Sequence, residues 1–122
     1  MAASAPRPGK PVRGSETGRP IMAALDLLGR RWSMRILWEL SQAPAGFRDL
    51  QRRCENMSSS VLSVRLNELT GTQLVSIDDE GYQLTEPGRQ LVDAIAPLEA
   101  WSVRWAGALG KNSRRPRDSS VS

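Results

Sequence analysis

The side chains that carry most enzyme chemistry are nearly missing from this sequence. It has no histidine and a single cysteine, Cys54. That removes Ser–His and Cys–His nucleophilic pairs, His-ligated zinc and any internal disulfide. No Gly-rich phosphate loop occurs, and the densest carboxylate group, Asp78-Asp79-Glu80, reads as the solvated charge of a turn and only weakly as a cation site. No catalytic constellation and no cofactor site are expected. What remains is recognition chemistry. Ser58-Ser59-Ser60 stands where a helix should begin, and its free backbone N–H groups favour a phosphate. At 100° per residue, Leu62, Leu66 and Leu69 gather on one side of that helix, with Ser60, Ser63, Val64 and Asn67 on or near the other. Arg65 lies on the flank. Such a face is small and polar enough to approach base edges closely. Ser and Asn donate and accept, Val64 suits a thymine methyl, and Arg65 can reach a phosphate or a guanine edge. Arg48, Arg52, Ser58 and Ser59 are the candidate phosphate contacts. An ordinary solvated helix face, with Ser58 only a cap, accounts for the same residues.

The elements that must position this face follow from periodicity. Pro20 suits a helix start, and Ile21, Ala24, Leu25 and Leu28 share one face of a first helix that Gly29 ends. Trp32, Ile36, Leu37 and Leu40 repeat the period in a second helix, broken by Gln42-Ala43-Pro44-Ala45-Gly46. Arg48 to Cys54 fits a short third helix, with Leu50 inward and Arg48, Arg52 and Arg53 outward. Glu55-Asn56-Met57 is a tight connection, and Ser58 caps a fourth helix that Gly71 stops. Leu74 to Ile77 and Tyr82 to Thr85, either side of an acidic turn ending in Gly81, predict a β-hairpin. Thr85 and Pro87 open a last helix reaching about Leu109, which Pro97 should kink. A short helix, a tight turn and an amphipathic helix is the helix-turn-helix order, and the hairpin supplies a wing. The expected fold is mainly α with a small β-hairpin wing, an α+β winged helix-turn-helix over residues 20–110.

Charge is distributed unevenly. Residues 1–19 and 111–122 each carry +3, whereas 20–110 hold nine arginines against eleven carboxylates. The tails lack the apolar surface to offset ordering entropy, so both are expected to be disordered and basic. A nucleic-acid site in the folded part must come from local arginine placement, with the tails as accessory phosphate contacts or as plain solubilising ends. No apolar run is long enough to span a membrane, and no h-region follows the N-terminus. The expectation is a cytoplasmic, nucleoid-associated protein.

Pro20 to about Trp105 resembles the HxlR-type winged helix-turn-helix regulators, a family of the MarR-like superfamily. The resemblance rests on Pro20-Ile21-Met22, Leu25 to Trp32, Ile36-Leu37, Phe47 to Leu50, Met57-Ser58, Val61 to Leu66, Leu69, Leu74-Val75, Tyr82 to Thr85, Gly88 and Leu91. It implies a homodimer on operator DNA acting as a local transcriptional switch, with Ser58 to Thr70 as recognition helix. It also implies a short strand from Gly46-Phe47 pairing with the wing. Two departures stand out. Many members carry a cysteine before the proline, where this chain has Arg19; Cys54 reads as a small buried thiol. Family wings are commonly longer and basic, and this one is acidic.

Ile21 and Leu25 on the first helix, and Leu91, Ile95, Leu98, Trp101 and Trp105 on the last, exceed what a core of about 90 residues needs. They are the expected two-fold interface, placing two recognition helices on successive major grooves of an inverted repeat. A tryptophan-lined pocket there would suit a small aromatic effector. The alternative class is a winged-helix module that binds protein without reading DNA, which the acidic wing and acidic core favour.

Overall fold

The computed structural model describes residues 5–10 and 18–113, the last three by backbone alone. The remaining parts of both basic tails lie outside the described residues. The order is α1 (Pro20–Leu28), α2 (Ser33–Gln42), α3 (Phe47–Arg53), α4 (Ser59–Gly71), β1 (Val75–Asp78), β2 (Gly81–Leu84) and α5 (Glu86–Ser113). The chain divides into two compact units after Gln90.

In the first unit the core is aliphatic. Ile36, Leu37, Leu50, Leu62, Leu66, Leu69 and Val75 are fully buried, joined by Leu27, Leu40 and Leu84. The stripe that periodicity selects on α1 carries its large residues outward. Ala23 and Leu27 are buried, whereas Ile21 and Leu25 are exposed. α1 is apolar on both sides, so spacing alone does not say which side turns in.

Helix ends follow local chemistry. Ser58 Oγ accepts the Val61 N–H at 3.2 Å, the expected cap of α4. At the other end Gly71 is still helical. The helix closes two residues later, where Gln73 adopts φ 65° and Leu74 N–H donates to the Leu69 carbonyl. Gln73 N–H donates to the Thr70 carbonyl, completing a Schellman closure whose left-handed position holds glutamine instead of glycine. Gly29 likewise has ordinary right-handed backbone, and the left-handed residue between α1 and α2 is Trp32, at φ 77°.

The two strands pair antiparallel, Val75 with Leu84 and Asp78 with Gly81, leaving Asp79-Glu80 as the loop. The strand implied at Gly46-Phe47 is instead a single bridge one residue earlier. Ala45 N–H donates to the Tyr82 carbonyl at 3.0 Å and Tyr82 N–H to the Ala45 carbonyl at 2.8 Å, while Phe47 already begins α3. That close approach requires glycine at 81. Its φ is 111°, and a Cβ there would lie 2.7 Å from the Ala45 carbonyl carbon and oxygen. Thr85 Oγ1 accepts the Gly88 N–H and donates to the Gln73 carbonyl, so one hydroxyl caps α5 and ties it to the end of α4.

Part of the expected N-terminal tail has a described place. Pro6 is buried, and the Arg7 guanidinium donates to the Gly71 carbonyl at 2.5 Å. α5 also passes the expected boundary at 110 and runs unbroken through Pro97 to Ser113. In the second unit Trp101 and Trp105 stack with ring centroids 5.2 Å apart and planes 15° from parallel. This is the i,i+4 geometry their spacing predicts. Leu98, Val103 and Leu109 are exposed, as are both rings, at 46% and 53%. No described helix is long and apolar enough to cross a membrane.

Candidate nucleic-acid interface

α3 and α4 meet through a turn that sequence periodicity leaves undefined. Glu55 and Asn56 both take left-handed backbone, at φ 61° and 59°. The reversal this gives is closed by Asn56 N–H donating to the Gln51 carbonyl at 2.8 Å. The Gln51 side-chain amide then donates to the Met57 carbonyl at 2.9 Å and to Ser59 Oγ at 3.1 Å. Gln51 thus braces the start of α4 from α3, a role that no spacing rule marks.

On α4 the buried residues Leu62, Leu66 and Leu69 hold the helix to the core. Ser60, Ser63 and Asn67 are exposed and Val64 is half-buried, forming the i, i+3, i+4, i+7 stripe that the sequence placed opposite the leucines. Ser58 and Ser59 are exposed at the N-terminal end. On α3, Arg48 and Arg52 are exposed one turn apart. Arg52 pairs with Asp49 at 2.9 Å but keeps two thirds of its side chain in solvent, where such a pair exchanges readily for another anion.

Two arginines are committed elsewhere. Arg53, read as outward, donates to the Ala43 and Glu39 carbonyls and pairs with Asp49 at 2.8 Å, locking α3 to α2. Arg65, read as a flank residue free to reach DNA, donates through Nε to the Arg31 carbonyl at 2.6 Å and pairs with Glu68 at 3.2 Å. Glu68 is the hub. It is 7% exposed and also takes Arg30 Nη1 at 2.6 Å, while Arg30 reaches Asp26 at 3.2 Å. A buried carboxylate with two guanidiniums fixes the attitude of α4 against the α1–α2 corner. Its parts carry a local signal, Asp26–Arg30 at i,i+4 and Arg65–Glu68 at i,i+3, but the link from Arg30 to Glu68, 38 residues apart, carries none.

Cys54 is fully buried at the end of α3, and burial pushes its thiol up, with Arg35 opposing. The wing tip is acidic. Asp78 accepts the Glu80 N–H at 2.8 Å and the Gln83 amide, leaving Asp79 and Glu80 exposed. Among the described residues no group of three or more His, Cys, Asp or Glu is placed to hold a metal ion.

A short helix, a tight turn, an amphipathic helix with a small polar outer stripe, and a hairpin bridged to the loop before them define a winged helix-turn-helix. The chain belongs to the HxlR-like helix-turn-helix family, whose model matches residues 27–109. The HTH-type transcriptional regulator YodB of Bacillus subtilis is 30% identical, over 66% of this chain and 78% of that protein. The quinone-bound structure of YodB superposes with a TM-score of 0.64 at 29% identity, covering 69% of this chain and 94% of that one. A possible HxlR family transcriptional factor from Thermoplasma volcanium gives 0.59 at 27% identity, covering 72% and 82%. YodB is an HTH-type transcriptional regulator, and this chain is a DNA-binding regulator of the HxlR-like family.

Proposed function

We propose that the protein reads a specific operator as a homodimer on an inverted repeat and acts there as a repressor or local switch in the cytoplasm, at the nucleoid. The observation that carries the reading is the Ser60, Ser63, Val64, Asn67 stripe. It is narrow, polar and backed by three buried leucines, so the backbone of α4 can come close to base edges. Arg48, Arg52, Ser58 and Ser59 surround it as phosphate contacts. Arg65 belongs to the same interface as a flank residue, its guanidinium engaged with Arg31 and Glu68.

Apolar exposure supports self-association. Leu98, Trp101 and Trp105 lie bare along α5, with Leu91 and Ile95 half-buried on the same helix, and Ile21 and Leu25 lie bare on α1. Exposed tryptophans in a stripe are a common core of dimer interfaces. One relative has been solved with a quinone bound. Quinones are electrophiles that seek thiolates, and this chain's one thiol is buried and pushed toward its neutral form, which argues against covalent capture here.

The test compares operator and scrambled duplexes. The Ser63→Ala/Asn67→Ala variant should lose discrimination by about 1 to 3 kcal/mol, whereas Arg48→Ala should weaken both duplexes alike and lower the salt slope by about one. Trp101→Ala/Trp105→Ala should shift sedimentation toward monomer. Affinity that does not respond to salt, on a chain that sediments as a monomer, would remove the reading and favour the protein-binding module that the acidic wing suits.

A further inference from the structure

α1, the α1–α2 turn and α4 line an open cleft of about 550 Å³, within the range of small-ligand sites. Met22 and Leu25 give it an apolar wall, and Arg30, Arg31 and Arg65 give it a cationic one. The charges do not balance. Three guanidiniums are met by two carboxylates, Asp26 in the wall and Glu68 behind it, both already engaged with Arg30 or Arg65. Arg31 is exposed and makes no ion pair among the described residues. Arg30 Nε is buried with no acceptor among them. That atom lies out of reach of a ligand in the cleft, so the donors open to one are those of the exposed Arg31 guanidinium.

We infer that this cleft binds an organic monoanion, a carboxylate carried on an apolar body. A planar carboxylate matches guanidinium donors, and one negative charge completes the count. The apolar body would rest on Met22 and Leu25; an inorganic anion leaves that wall unused, and a neutral compound leaves Arg31 unmatched. The ligand would also lie against Arg65, which the Arg31 carbonyl and Glu68 hold on α4.

Titration calorimetry of the full chain without DNA tests this, using benzoate and hexanoate against benzamide and inorganic phosphate. Because no DNA is present, the result stands apart from the reading of α4. One saturable site for benzoate or hexanoate is expected, with benzamide and phosphate each at least about tenfold weaker. Arg31→Ala keeps the backbone carbonyl that Arg65 uses and changes an exposed side chain. It should weaken the carboxylate by about tenfold or more, the loss of one charge-assisted hydrogen bond. Amide shifts of residues 22–31 and 65 should move on titration of the unmutated chain. No saturable binding of either carboxylate would overturn the proposal. So would undiminished binding to Arg31→Ala, phosphate binding as tight as benzoate, or shifts confined to other residues.

Discussion

Replacing Glu68 by alanine removes the acceptor that two guanidiniums share. Its Oε2 takes Arg30 at 2.6 Å and its Oε1 takes Arg65 at 3.2 Å. Charge-assisted hydrogen bonds contribute about 1.5 to 3 kcal/mol each, and truncating one partner of a buried pair costs about 3 to 5. Both arginines keep a fifth of their side chains in water and a second partner, Asp26 for Arg30 and the Arg31 carbonyl for Arg65. Rehydration and those partners return part of the loss, so the expected cost is about 2 to 3 kcal/mol. For a domain of this size that lowers Tm by about 10 to 20 °C. Urea unfolding gives the free energy, and the slope m should stay constant because the same surface is exposed. Glu68→Gln keeps one acceptor and should cost about half as much. At temperatures where Glu68→Ala is still folded, its affinity for operator and scrambled DNA should both fall, because the attitude of α4 is lost and not a base contact. A cost below about 0.5 kcal/mol, or a loss confined to operator DNA, would refute the reasoning.

Three further outcomes follow from local geometry. Gly81→Ala puts a Cβ 2.7 Å from the Ala45 backbone at φ 111°, and should destabilise by about 3 kcal/mol or more in a denaturant melt. Gln73→Gly relieves a left-handed residue in the Schellman closure of α4 and should stabilise by about 0.5 to 1 kcal/mol, provided Thr85 keeps its bond to the 73 carbonyl. Burial raises the Cys54 thiol above its ordinary value, so as pH rises the unfolded chain deprotonates first. Stability should therefore fall from about pH 8.5 upward, be unaffected by this group below that, and lose this dependence in Cys54→Ala.

Much of the frame was legible because it rests on period and punctuation. Ser58 followed by Leu62, Leu66 and Leu69 announces α4 and its inward side together, and Thr85-Glu86-Pro87 announces α5. The failures share a cause: they depend on partners remote in the chain. On α1 the outward face of Ile21 and Leu25 was readable, but that Ala23 and Leu27 turn inward was not, because that stripe is apolar too and only the docking of α2 selects it. Arg65 reads as a free cation until the Arg31 carbonyl, 34 residues away, is placed beside it. Gly71 looks like a stop, yet the stop is Gln73, held left-handed by closure onto Leu69 and Thr70. Gln51 carries no periodic signal, since an amide that braces a turn resembles any other exposed glutamine. Of the candidate site, the exposed stripe on α4 was therefore readable and the scaffolding that holds α4 was not.

The reciprocal Ala45–Tyr82 pair has a mechanical consequence. It joins the hairpin to the chain immediately ahead of α3 through main-chain atoms alone, and Gly81 admits the contact by having no side chain. The gauge between wing and helix is thus set by peptide groups, which substitution at most positions leaves intact. Residues 60, 63, 64 and 67 lie on α4, outside that main-chain contact, so exchanging their side chains leaves the bridge untouched.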